Sequence, residues 1–130
     1  MIGKADIVAM VLPGVKDTEN IMNSERLNKM KRGAFLINVG RGNAVDHEAL
    51  KVALKNGQIA GAGLDVTEPE PLPADDELWN LNNVIITPHI AGHLFLDEAR
   101  DCIVEIIGKN LNNWLNDKPL INVVNRQLGY

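Results

Sequence analysis

This sequence of 130 residues is poor in the features that mark several protein classes. It holds a single cysteine, Cys102, so no internal disulfide can form, and a reducing compartment is the natural expectation. Aromatic residues make up only 4%, the formal net charge is -4, and no basic stripe or aromatic-basic interleaving is visible. Nucleic-acid binding is therefore disfavoured, because phosphate contacts need clustered cations. No apolar run approaches the roughly 18 residues of a transmembrane span. The opening Met1-Ile2-Gly3-Lys4-Ala5-Asp6 lacks the apolar core and cleavage site of a signal peptide. A cytoplasmic protein with no membrane partner is expected. No metal site is expected either: His89 and His93 lie on a segment that Pro88 and Gly92 bend into a turn, and no further histidine lies nearby.

What is present is ordinary globular material, 45% hydrophobic and 23% charged, long enough for one real core. Four short apolar runs stand out, at 6–12, 34–39, 59–66 and 84–87. Near-continuous apolar runs of this length read as strands buried on both faces. Pro13-Gly14 breaks the first. Ser24 is placed to cap a helix over 25–31, with Glu25 in its first turn and Gly33 at its end. Asp46 is placed to cap a second helix over 47–56, whose apolar face is Ala49, Leu50, Ala53 and Leu54, with Gly57 closing it. His47, in its first turn, is expected to be exposed. Gly61 and Gly63 mark close approach of a neighbouring backbone or helix. A loop rich in proline and acid follows at 67–76. A long helical pattern runs from about 96 to 115, striped by Ile103, Ile107, Leu111 and Trp114, and segment 120–124 of the tail reads as a short strand or an extended arm. This alternation predicts an α/β fold: a partial Rossmann-like, doubly wound parallel sheet of about four strands with right-handed crossovers and a long C-terminal helix. The G-x-G-x-x-G that usually opens such a domain does not occur.

Three polar residues each follow one of the runs. Arg41 lies in Gly40-Arg41-Gly42, Glu70 in Glu68-Pro69-Glu70-Pro71, and His89 in Pro88-His89-Ile90-Ala91-Gly92. If the runs are neighbouring parallel strands, all three leave the sheet at its carboxyl edge, where open α/β sheets bind ligands. Taken singly, each has a bland reading: an exposed turn arginine, a solvated acidic loop, a structural histidine. Together they offer a guanidinium fork suited to a substrate carboxylate, and a carboxylate that can orient an imidazole for general acid and base work. Asp65 ends a strand, where it could meet a ligand amide or simply close a turn.

The order and spacing of several motifs resemble the D-isomer-specific 2-hydroxyacid dehydrogenases. They are Asn38-Val39-Gly40-Arg41-Gly42, Val45-Asp46, Gly61-Ala62-Gly63-Leu64-Asp65-Val66, Glu70-Pro71-Leu72-Pro73, Leu78-Trp79 and Thr87-Pro88-His89-Ile90-Ala91-Gly92. The resemblance covers almost the whole chain. It implies an oxidoreductase that moves a hydride between NAD or NADP and a small 2-oxo acid or D-2-hydroxy acid. It also implies roles: Arg41 holds the substrate carboxylate and carbonyl, His89 protonates the carbonyl oxygen, and Glu70 supports His89. Leu12, Pro13, Val39, Gly40, Asp65 and Gly92 would lie near the cofactor. Set against the family pattern, residues 1–95 match the C-terminal half of the dinucleotide-binding domain, and 96–130 a helix and tail returning to a substrate domain. The segment His93-Leu94-Phe95-Leu96 is more apolar than the polar helix start that the pattern leads one to expect. A C-terminal fragment, inactive by itself and prone to homo-oligomerise, is the expectation. A non-catalytic dinucleotide-binding or regulatory module, or a truncated remnant, stays open as an alternative.

Overall fold

The computed structural model describes residues 1–92 and 96–130. These form two compact units, Met1–His89 and Ile90–Tyr130. In the first unit the chain alternates strand and helix: β1 (Ile7–Met10), α1 (Ser24–Lys29), β2 (Phe35–Asn38), α2 (His47–Lys55), β3 (Gly61–Leu64) and β4 (Val84–Ile86). The four strands form one sheet in the order β1-β2-β3-β4, and every pairing is parallel. Each strand is shorter than its apolar run, because the ends of the runs bend into the connecting loops.

The order advances in one direction only. Right-handed crossovers then lay successive helices on the same face of the sheet. α1 and α2 pack against each other, and Leu27, Leu50 and Leu54 join Met10, Leu36, Ala62 and Leu64 in one core. The opposite face carries Phe35 and Ile85, both exposed. The first unit is thus a four-stranded parallel sheet wound on one side.

Local signals account for the helix boundaries. Asp46 caps α2, its Oδ1 accepting the Ala49 N–H at 3.0 Å. For α1 the cap is Asn23 rather than the expected Ser24: its Oδ1 accepts the Arg26 N–H at 3.1 Å, and Ser24 is the first helical residue. Both types cap well, and the extended backbone of Asn23 (φ -91°, ψ -178°) decides between them. The helix ends at Lys29, short of Gly33, which takes φ +81° in the turn beyond. Gly61 does mark a close approach, since a Cβ there would stand 2.7 Å from the Asn83 carbonyl oxygen.

The second unit is α3 (Asp97–Leu115) and a tail. None of α3's residues is buried. Segment 120–124 forms no strand. Instead the Asn110 amide meets the Ile121 backbone twice, Nδ2 donating to the carbonyl at 3.0 Å and Oδ1 accepting the N–H at 2.8 Å. A side chain thereby supplies the two bonds a neighbouring strand would have made. The expectation for His93, Leu94 and Phe95 lies outside the described residues. Among the described residues no helix is long and apolar enough to cross a membrane.

Candidate active site

The ladder bonds run past the strand ends. The Val39 N–H donates to the Met10 carbonyl at 3.0 Å, Asp65 to Asn38 at 2.9 Å, and His89 to Asp65 at 2.9 Å. The residues that follow β1, β2, β3 and β4 are therefore stitched side by side along the carboxyl edge. Glycines let these loops close up further. A Cβ on Gly40 would stand 2.6 Å from the Leu12 nitrogen, and one on Gly42 only 2.0 Å from the Thr67 carbonyl oxygen. No side chain fits at either position. The turn holding Arg41 is thus pressed against β1's loop on one side and the start of the acidic loop on the other.

Asn38 shapes that turn from below. It is fully buried at the end of β2; its Oδ1 accepts the Gly40 N–H at 3.1 Å and its Nδ2 donates to the Arg41 carbonyl at 2.9 Å. Arg41 itself is exposed, and one of its guanidinium N–H groups donates to the Gly40 carbonyl at 2.7 Å. A guanidinium carries five N–H donors, so this bond occupies only part of the fork. The aliphatic stem of Arg41 lies over Gly14.

At the β3–β4 end, His89 Nδ1 is 2.5 Å from Glu70 Oε1. His89 has φ +53°, an uncommon left-handed backbone for a residue with a side chain. The bend turns the imidazole toward the acidic loop, and bonds from the His89 N–H to the Asp65 and Thr87 carbonyls hold it. Both partners are half-exposed, 44% for His89 and 41% for Glu70, so a ligand can reach the pair. The buried Asp65 carboxylate accepts the Thr87 hydroxyl at 2.5 Å. A cleft of about 250 Å³ opens here, lined by Asp65, Thr67, Glu70, Trp79 and His89 among others.

Glu70 and His89 are thus in direct contact, while Arg41 stands at the neighbouring strand end and is joined to them through Gly42 and Thr67. Leu12, Pro13, Val39, Gly40 and Asp65 belong to the same edge; Gly92, at φ +83°, belongs to the second unit. The groups of the first unit offer a partly apolar edge with one buried carboxylate, Asp65, able to accept a hydrogen bond. The pyrophosphate end of a dinucleotide has no glycine-rich cradle in this sequence.

Sequence reasoning misplaced His47. It is not exposed but 8% accessible, with Nδ1 at 2.9 Å from the Glu68 carbonyl oxygen. Burial pushes its pKa below the ordinary value, outweighing the Glu68 backbone and the Asp76 carboxylate. Asn38 and Thr87 were also missed as supports. Their signal was available: each is a polar residue in or just after a run that is otherwise apolar.

A one-sided parallel sheet with its polar groups gathered at the carboxyl edge defines part of a dinucleotide-binding α/β domain. The chain belongs to the D-isomer specific 2-hydroxyacid dehydrogenase family, whose NAD binding domain model matches residues 1–91. It is 44% identical over 128 residues to a glyoxylate reductase of Thermofilum pendens, an alignment covering 98% of this chain and 37% of that protein. A crystal structure of a D-isomer specific 2-hydroxyacid dehydrogenase from Xanthobacter autotrophicus Py2, in complex with NADPH and MES, superposes with TM-score 0.86 at 40% identity. That match covers 99% of this chain and 52% of the other. An NADPH-dependent glyoxylate/hydroxypyruvate reductase from Sinorhizobium meliloti, in complex with NADP and sulfate, matches with TM-score 0.85 at 29% identity, covering 99% of this chain and 41% of that one. The chain therefore spans well under two thirds of the proteins it resembles.

Proposed function

We propose that this chain supplies the substrate-anchoring and proton-transfer part of an NAD(P)-dependent interconversion of a small 2-oxo acid and a D-2-hydroxy acid. The observation that carries the reading is the 2.5 Å contact between His89 Nδ1 and Glu70 Oε1 at the carboxyl edge of a parallel sheet. Glu70 fixes the ring, so that Nε2 gives a proton to the carbonyl oxygen on reduction and takes it back on oxidation. Arg41 pairs with the substrate carboxylate and sets the carbonyl between itself and His89. Leu12, Pro13, Val39, Gly40, Asp65 and Gly92 contact the cofactor. NAD or NADP, when bound, supplies or accepts the hydride. The Thermofilum and Sinorhizobium relatives favour substrates of glyoxylate or hydroxypyruvate size. A purely regulatory dinucleotide-binding module has no need of the Glu70–His89 pair.

We also place the protein in the cytoplasm, on its lone cysteine, and as a homo-oligomer, on the exposed Ile7 of β1, an edge of the described sheet, and the exposed Val11 just beyond it.

The test is to install this sequence in place of the matching part of the Thermofilum enzyme. Glyoxylate, hydroxypyruvate and phenylpyruvate are then assayed with NADH and with NADPH. Turnover is expected, and Arg41→Ala or His89→Ala should lower it by about 100-fold or more. Turnover that survives both substitutions would remove the two residues from these roles. The 130-residue chain alone should turn over no NADH; robust turnover would overturn the division of labour proposed here.

A further inference from the structure

Glu70 is an exposed carboxylate on a loop, and loops of this kind are mobile unless something holds their backbone. The structure shows two holds, both from α2. His47 and Lys51 lie one turn apart on its buried face, 8% and 7% exposed. His47 Nδ1 is 2.9 Å from the Glu68 carbonyl oxygen and 3.2 Å from the Glu68 nitrogen. Lys51 Nζ donates to Asp76 Oδ2 at 3.0 Å and to Glu48 Oε1 at 2.8 Å. Asp76 in turn accepts the Leu78 N–H at 2.8 Å. Glu68 and Asp76 bracket the loop that carries Glu70, and between them the Leu72 side chain joins the core.

We propose that His47 and Lys51 are positioning residues: by gripping the acidic loop at Glu68 and Asp76, they hold the Glu70 carboxylate against His89 Nδ1. Its catalytic meaning rests on the function proposed above.

A neutral imidazole has one N–H to give. Nδ1 faces the Glu68 carbonyl oxygen at 2.9 Å and the Glu68 N–H at 3.2 Å, so it holds Glu68 as a donor in one tautomer and as an acceptor in the other. Nε2 is buried with no partner among the described residues. Protonation puts an N–H on both nitrogens: it removes the acceptor that faces the Glu68 N–H and leaves the Nε2 N–H without one. The charged groups around the ring are Lys51, which opposes a second positive charge, and Asp76 and Glu68, which favour it. Burial prevails and the ring stays neutral near pH 7, so acid strains the grip at Glu68.

Amide hydrogen exchange and side-chain nitrogen resonances of the 130-residue chain read the grip directly. His47→Phe should speed exchange at Glu68, whose N–H faces Nδ1, by about tenfold, the scale of one lost hydrogen bond. It should also move the His89 ring resonances toward those of Glu70→Gln. His47→Gln keeps a donor for Glu68 and should restore both. Lys51→Met should act likewise at Asp76, with Lys51→Arg as its rescue. Protection at Leu27 and Leu50 reports an intact core. Should His47→Phe fail to fold, the wild-type chain still decides: below pH 6.5, exchange at Glu68, corrected for its intrinsic pH dependence, should rise while Leu27 and Leu50 hold. Unchanged loop exchange and unchanged His89 resonances in His47→Phe, or an acid-insensitive Glu68, would overturn the proposal. In the Thermofilum chimera, His47→Phe should lower kcat with little change in KM, and His47→Gln should recover it. A loosened loop with turnover unaffected would leave the grip standing and remove Glu70 from catalysis.

Discussion

Phe35 and Leu36 are neighbours in β2, yet the first is 46% exposed and the second fully buried. Alternation along a strand sends successive side chains to opposite faces. Here one face lies under α1 and α2, and the other lies under no helix of the first unit. The contrast teaches that apolar character in this chain has two meanings. Leu36, Ala62 and Leu64 fill a core, whereas Phe35, Ile85 and Ile7 present apolar surface. The two long helices differ in the same way: α2 buries Leu50, Ala53 and Leu54, whereas α3 buries nothing despite Ile107, Leu111 and Trp114.

The sharpest way to break this comparison is to truncate one residue on each face. Leu36→Ala should cost about 2–5 kcal/mol of unfolding free energy, the usual range for a buried leucine. Phe35→Ala should cost well under half as much. Urea denaturation measures both, and equal losses would mean that the bare face is covered in solution.

Asn38→Ala tests the buried polar group on the covered side. It leaves the Gly40 N–H and the Arg41 carbonyl without their partner, at about 1–3 kcal/mol. A loss near zero would show that the turn supports itself.

A third effect depends on pH. The folded-state pKa of His47 lies below its ordinary 6.5, so the unfolded chain binds more protons in the window between the two values. Stability should therefore fall as pH drops through that window, by at most about 1.4 kcal/mol per pH unit from this one group. Unfolding curves for wild type and His47→Phe between pH 7 and 5 (about the range in which an ordinary histidine titrates) should converge in acid. Parallel curves would exclude His47 as the source.

The smallest expected effect is on the bare side. Ile7→Lys places a charge on the β1 edge, where it should change monomer stability by no more than about 0.5 kcal/mol. It should nevertheless shift sedimentation toward the monomer. A wild-type chain that is already monomeric at micromolar concentration would defeat the association expected of that edge.

Much of the fold was legible because its signals are local. Short apolar runs marked β1 to β4, Asp46 marked the start of α2, and alternation of strand and helix marked a parallel sheet. The Gly40-Arg41-Gly42 turn and the Pro88-His89 segment could be placed at strand ends from the order of the runs alone. Asn23 displaced Ser24 as a cap because adjacent residues with equal capping ability differ only in backbone conformation. Of the two readings of segment 120–124, a short strand or an extended arm, the strand does not form, because the Asn110 amide takes the place of a pairing strand.

By itself, then, the sequence determined which residue types stand at the carboxyl edge and in what order, since each sits at the end of a run whose period is visible. Only the tertiary structure decided that Glu70 Oε1 meets His89 Nδ1, that Gly42 lies against Thr67, and that His47 is buried beneath Glu68. Those contacts join residues distant in sequence, and their strength depends on loop backbones closing to within an ångström. Periodicity carries no information at that scale; packing does.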